Sequence, residues 1–299
     1  MKKLLALISA ALLASTLSAA FNPEYSDYLF YTLEDFDADE EYLSDAEESA
    51  ATDEEKSAIL WRLSRNSLSQ GDLLDEDDKD GRFAMYEESQ AYAEESISLM
   101  PNADAYHWLS SAIGRWGQTK GVLESLSRAG EMRDYELKAI DEYGYDHTDA
   151  WYVLGILYNQ LPGWPISFGN KNYAISYMRR SLETQIAGRG LFLTLYQELS
   201  NQLYDRNWDA KKRTSEINKM QKDYDKNDVL SEKMKYYEGA EGASKVPFYS
   251  TVSLSQMSDR QEAAMLLMYA DAVFKTKADP LPSEVAKHNE ILARLEEIT

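Results

Sequence analysis

The chain has 299 residues, no cysteine and a formal net charge of −21. Without cysteine there can be no disulfide, no thiolate metal site and no cysteine nucleophile. The acidity disfavours nucleic acid, whose backbone needs neutralising Lys and Arg, and anionic lipid for the same reason.

Residues 1–20 have the form of a secretory leader. Lys2 and Lys3 precede an apolar run over 4–13 broken only by Ser9, and Ser18, Ala19 and Ala20 supply the small residues of a cleavage site. The run is too short to span a bilayer, so cleavage before Phe21 is expected rather than an uncleaved anchor helix. No cysteine follows for lipid attachment. The expected product is a soluble protein of a bacterial periplasm, not embedded in the membrane. Losing the two leader lysines takes the mature chain from −21 to −23.

Apolar residues then recur at spacings of three and four, the helical period, and few segments alternate as strands do. Residues 21–36 are aromatic and acidic and predict one short helix; 39–51 predict another. Thr52 and Glu55 form a capping box opening a helix with Ile59, Leu60, Leu63 and Leu68, which fades near Gly71. An acidic loop, 72–81, leads to a helix with Phe83, Tyr86, Ala93, Ile97 and Leu99, stopped by Pro101. Residues 102–114 predict a helix bearing Tyr106, Leu109 and Ile113, with breaks at Gly117 and Gly121. Val122, Leu126, Ala129, Met132, Tyr135 and Ala139 mark a long helix ending near Gly144. Residues 149–160 predict a helix, followed by the rigid loop Leu161-Pro162-Gly163-Trp164-Pro165. Asn170 or Asn172 caps the next helix, with Ala174, Met178 and Leu182 along its stripe. Further helices are expected over 190–203, 209–224, 229–238, 258–275 and 283–298, with a surface loop over 239–254. No long linker interrupts the pattern, which predicts a single domain over 21–299.

Charge is uneven along this series. Residues 24–55 hold fourteen acids and no base, whereas 171–226 hold eleven Lys and Arg against seven acids. Solvated helix faces are the ordinary source of such runs.

A repeat underlies the helices, clearest over 83–186. Trp151, Leu154, Gly155 and Tyr158 occupy the first-helix positions of a tetratricopeptide (TPR) unit, and Ala174, Met178 and Ser181 follow at second-helix spacing. The small residues let paired helices approach, and the large ones fill the gap between them. Tyr106, Leu109, Ser110 and Ile113 repeat the first-helix pattern; Ser89, Ala93, Ser96 and Pro101 close an earlier unit; a copy at Phe192, Leu195 and Leu199 is faint. The expected fold is all-α, a TPR-like right-handed solenoid of antiparallel helix pairs.

Within this pattern residues 105–182 resemble the regulator of microtubule dynamics family. The resemblance rests on Gly117 and Gly121, Ala139-Ile140, Trp151 through Gly155, and Leu161-Pro162-Gly163 followed by Gly169 through Ala174. Exported bacterial TPR-like proteins, including the T-component of TRAP-type solute transporters, are similar in plan. The resemblance implies the fold; it carries no shared chemistry onto these positions, and the lipid-attachment cysteine of T-components is lacking.

Catalytic patterns are sparse. His107, His147 and His288 have no metal-pair spacing. Ser167 in Pro165-Ile166-Ser167-Phe168-Gly169 is one glycine short of a nucleophile elbow and has no strand before it. No enzyme activity and no cofactor is expected. Glu76, Asp78, Asp80 and Glu87 stand at calcium-loop offsets with Gly81 at the sixth position, but Glu76 is long where a short Asp belongs. A solvated acidic turn between helices accounts for the same letters, and no metal is assigned.

The aromatic residues are more informative. Trp151 fills a bulky repeat position. Trp116 and Trp164 fall in inserted segments, where they either plug loops onto the solenoid or form a binding surface. The expected function is display: a concave face lined by Tyr106, Arg115, Trp116, Tyr152, Asn159 and Trp164 receives a peptide or protein partner. The alternative is an accessory component of a solute transporter, with an apolar cavity for a small apolar solute.

Overall fold

A computed structural model describes residues 21–185, 191–240 and 242–299. The leader over 1–20 lies outside the described residues. Their regular structure is all helical, without a strand among the described residues, and the helices pack as neighbouring pairs in the manner of a helical solenoid. They group into two compact units, divided after Pro101.

The first unit opens with α1 (Pro23–Tyr28), capped by the Asn22 side chain. The chain then widens into a π-turn (Leu29–Leu33), closed by Glu34 at φ 50°. The short helix expected over 21–36 thus runs unbroken from Pro23 to Leu33, and Asp35 caps a new one, α2 (Phe36–Ser49). In α3 (Asp53–Leu73) Thr52 accepts from Glu55 N at 3.1 Å as expected. The Glu55 carboxylate, however, reaches Ala51 N and Phe21 N rather than Thr52 N. The helix ends at Leu73, close to Gly71 as expected, and an added Cβ on Gly71 would lie 2.7 Å from the Tyr86 ring of α4 (Lys79–Leu99). Small residues hold α3 and α4 together: Ser57 faces Ser96, and Ser64 faces Ser89, each pair within hydroxyl contact and buried.

The second unit begins with the hairpin α5 (Ala103–Lys120) and α6 (Val122–Tyr143). Gly117 does not break α5. It is a helical residue on which the backbone of Ser125 closes, a Cβ there meeting Ser125 Cα at 3.2 Å, while Gly121 at φ 129° makes the turn. Gly144 ends α6 at φ 70°, its N–H donating to Ile140 O at 3.1 Å. The next hairpin is α7 (Thr148–Gln160) and α8 (Lys171–Thr184), the latter capped by Asn170 and not Asn172. Gly155 lies against Met178, and Ser181 donates to Thr148 O at 2.7 Å. Trp151 is fully buried, stacked on Tyr177 at 5.7 Å, with its Nε1 donating to Asp146 at 2.8 Å.

Beyond α8 come α9 (Leu193–Arg206), α10 (Ala210–Lys226) and a short α11 (Leu230–Met234). The helix expected over 229–238 stops early. A 3₁₀ turn, Tyr237–Gly239, brings Gly239 so close to Gln221 that no side chain fits. An irregular strap through Tyr249 then leads to α12 (Asp259–Phe274) and α13 (Pro282–Ile298).

Candidate functional site

The loop between α7 and α8 is pinned at both ends by its own backbone. Leu161 N donates to Leu157 O, Gly169 N to Pro162 O, and Asn170 N to Tyr158 O at 2.8 Å. Phe168 turns inward onto Tyr158 at 5.1 Å, with the Arg133 guanidinium 4.5 Å above its ring. Gly169 is obligatory, because a Cβ there would sit 1.9 Å from Leu161 O. The tip has the opposite character. Trp164 is 90% exposed and Ile166 73%. Plugging, one of the two roles considered for Trp164, therefore belongs to Phe168. Trp164 stands out in solvent at the tip of this loop.

The other residues of the expected lining fall into two environments. Arg115, Tyr152 and Asn159 lie on first-helix faces of neighbouring hairpins. Tyr152 packs at 5.0 Å on Phe192. Its hydroxyl is held above the ordinary phenol range by burial, reinforced by the charge of Glu198 and opposed by that of Arg115. Asn159 stands seven residues on, two turns along the same side of α7, and is half-buried. Arg115 is exposed and donates to Gln118 at 3.3 Å, while half-buried Trp116 has the Lys120 ammonium 5.7 Å from its ring. Tyr106 is placed differently. It is buried between α5 and α6, 6.0 Å from the Tyr135 ring, with the Lys138 ammonium over its face at 4.9 Å.

The acidic turn uses its side chains as caps. Asp78 accepts from Gly81 N at 3.0 Å and starts α4, and Asp75 accepts from Asp77 N at 2.9 Å. Gly81 lies inside the helix, not at the left-handed φ that a calcium loop demands of its sixth residue. Among the described residues no three His, Asp or Glu side chains converge as ligands. Each histidine has a carboxylate neighbour: His107 Glu136 at 3.1 Å, His147 Asp149 at 3.5 Å, and His288 Asp271 at 2.8 Å.

Sequence patterns left two features unread. One is Ile166, the second apolar residue of the loop tip; its neighbours Pro165 and Trp164 were the only signal. The other is a buried charge cluster in which Arg179, Arg206 and Arg213 meet Glu238, Asp259 and Glu262. Beside it lies a cleft lined by Arg179, Glu183, Lys245 and Tyr249, with room for about one water molecule. That is too small for an organic ligand.

The family model described as Regulator of microtubule dynamics protein 1-3 matches residues 26–161, just under half of the chain. The match supports the resemblance read from the motifs over 105–161 and extends it back into the first unit. It stops where the loop bearing Trp164 begins. No curated protein matches the chain. Among the described residues no helix is long and apolar enough to cross a membrane.

Proposed function

We propose that the protein is an exported, non-catalytic helical scaffold that docks a protein or peptide partner through the α7–α8 loop. Trp164 carries this reading. An exposed Trp beside an exposed Ile costs solubility, and a loop that packs half-buried Phe168 on Tyr158 while presenting both is preorganised for a pocket on another molecule. In this reading Arg115, Tyr152 and Asn159 on the first-helix faces add polar contacts to the same partner. The family match supports an interaction scaffold in general. The leader-like residues 1–20 support a periplasmic site of action, which cell fractionation would test.

The partner is sought by native mass spectrometry of the protein purified from its own periplasm. Trp164→Ala is expected to weaken capture of the co-purifying protein about tenfold or more, the effect of losing an aromatic anchor. Its melting temperature should stay within about 2 °C of the parent, because a side chain this exposed adds little stability. Gly169→Ala should weaken capture as well with Trp164 intact, since the loop cannot keep its shape around the new Cβ. Capture unchanged in Trp164→Ala would remove the loop from the interface. Co-purification of a small apolar molecule instead of a protein would favour a transporter-accessory role.

A further inference from the structure

Where the turn after α6 enters α7, two of the three histidines, His107 of α5 and His147 of the turn, flank Tyr145 in one aromatic column. The His107 ring lies 5.8 Å from Tyr145, and Tyr145 stacks on His147 at 4.8 Å with 19° between planes. Tyr145 donates its hydroxyl to Asp104 at 3.2 Å. His147 ends the column as the N-cap of α7. It caps not through a side-chain oxygen but through Nδ1, which accepts from Asp149 N at 3.3 Å.

A ring nitrogen accepts a hydrogen bond only while it carries no proton. This cap therefore requires neutral imidazole with its proton on Nε2. Protonation at Nδ1 turns the acceptor into a second donor facing Asp149 N–H. It also sets a positive charge at the end of the helix where the backbone dipole is already positive. The proton has another acceptor at hand, since Asp149 Oδ2 lies 3.5 Å from Nδ1. The ring can thus exchange a backbone cap for an ion pair with the carboxylate of the same residue. We propose that His147 is a proton-operated cap, which holds the first turn of α7 at neutral pH and releases it as the solution becomes acidic.

The surrounding charges suit that role. Asp149 of α7 faces the His147 ring at 3.5 Å, while Asp104 of α5 accepts from the Tyr145 hydroxyl beside it. Asp146 in the turn is spent on Trp151 Nε1 and on Arg180 of α8. Glu136 of α6 is spent on His107, at 3.1 and 3.2 Å from its Nδ1. Burial alone would favour neutral His107, but the Glu136 carboxylate outweighs it and raises the His107 pKa above that of free imidazole. Release of the first turn loosens the backbone at Trp151, whose N–H donates to His147 O at 3.3 Å, and with it the joint between the hairpins. The device needs no bound partner.

Two measurements on the full chain test this. The imidazole ¹⁵N shifts of His147 at pH 8 should report an unprotonated Nδ1; a protonated Nδ1 there would overturn the proposal. Amide exchange over 151–153, corrected for the chemical rate and referred to α12, should lose roughly fivefold protection between pH 7.5 and 5, as removal of a cap does. His147→Asn keeps an acceptor at every pH and should abolish that loss. Protection independent of pH in the parent, or a loss retained in His147→Asn, refutes the proton-operated cap.

Discussion

Glu262→Gln is expected to lower stability by about 3–5 kcal/mol, the cost of removing one partner from a buried ion pair. Glu262 is fully buried and accepts both terminal nitrogens of Arg179, at 2.8 and 2.7 Å, together with Arg213 and the Tyr249 hydroxyl. Glu238 and Asp259 neutralise Arg206 in the same way, at 2.6 and 2.8 Å. Three guanidinium groups thus meet three carboxylates, and the swap leaves one buried positive charge without an answer. Chemical denaturation checks the magnitude; a loss below about 1 kcal/mol would mean that water reaches the cluster.

The same cluster sets an acid limit. Burial favours protonation of Glu238, but Arg206 and Arg179 overcome it and hold the carboxyl at about 2. Glu262 is likewise held low by Arg179 and Arg213 against its burial. A carboxylate with a depressed folded pKa contributes stability that is complete above its unfolded pKa, about 4.3 for Glu, and is lost as pH falls through the folded value. Unfolding free energy should therefore drop steeply from about pH 4 towards pH 2. In Glu262→Gln that slope should be shallower by the protons no longer taken up there. Equal slopes in the two proteins would place the acid sensitivity elsewhere.

Arg65→Met in the first unit is expected to cost about the same, 3–5 kcal/mol, for the same reason. Arg65 is fully buried, 4.0 Å from the Phe30 ring and 4.8 Å from that of Tyr31. It donates to Asp27 at 2.7 Å, to Ser26 at 3.3 Å and to buried Asp39 at 3.5 Å. Its removal leaves Asp39, among the described residues, with the side chains of Ser26 and Asn66 as donors, at 2.6 and 3.1 Å. Arg65→Lys restores the charge but neither the planar fork nor the stacking, and should recover less than half of the loss. Amide exchange over α2 and α3 reads the effect where it arises. Full rescue by Lys would reduce the role of Arg65 to its charge.

Local order was legible in the sequence. The 3.6-residue period located nearly every helix, because each must bury one stripe. Thr52 announced its helix start, since a cap is read within three residues. Gly155 and Ser181 were placed by a repeat that demands small residues where paired helices meet. Trp164 and its loop stood out as an insertion that no repeat position explains.

Contacts between distant segments were decided only by tertiary structure. Arg179 and Glu262 are 83 residues apart, and nothing in the period of either helix marks them as partners. Gly117 reads as a breaker by propensity, yet it continues α5 because Ser125 of the next helix needs the space of a side chain there. Exposure at the α7–α8 loop was settled the same way. Phe168 packs on Tyr158, whereas Trp164 stands in water. His147 became a cap because the turn after Gly144 stacks it on Tyr145 with Nδ1 facing the helix. Pattern reveals which stripe of each helix is buried, but the partner that a buried charge or a loop aromatic meets depends on how the helices come together.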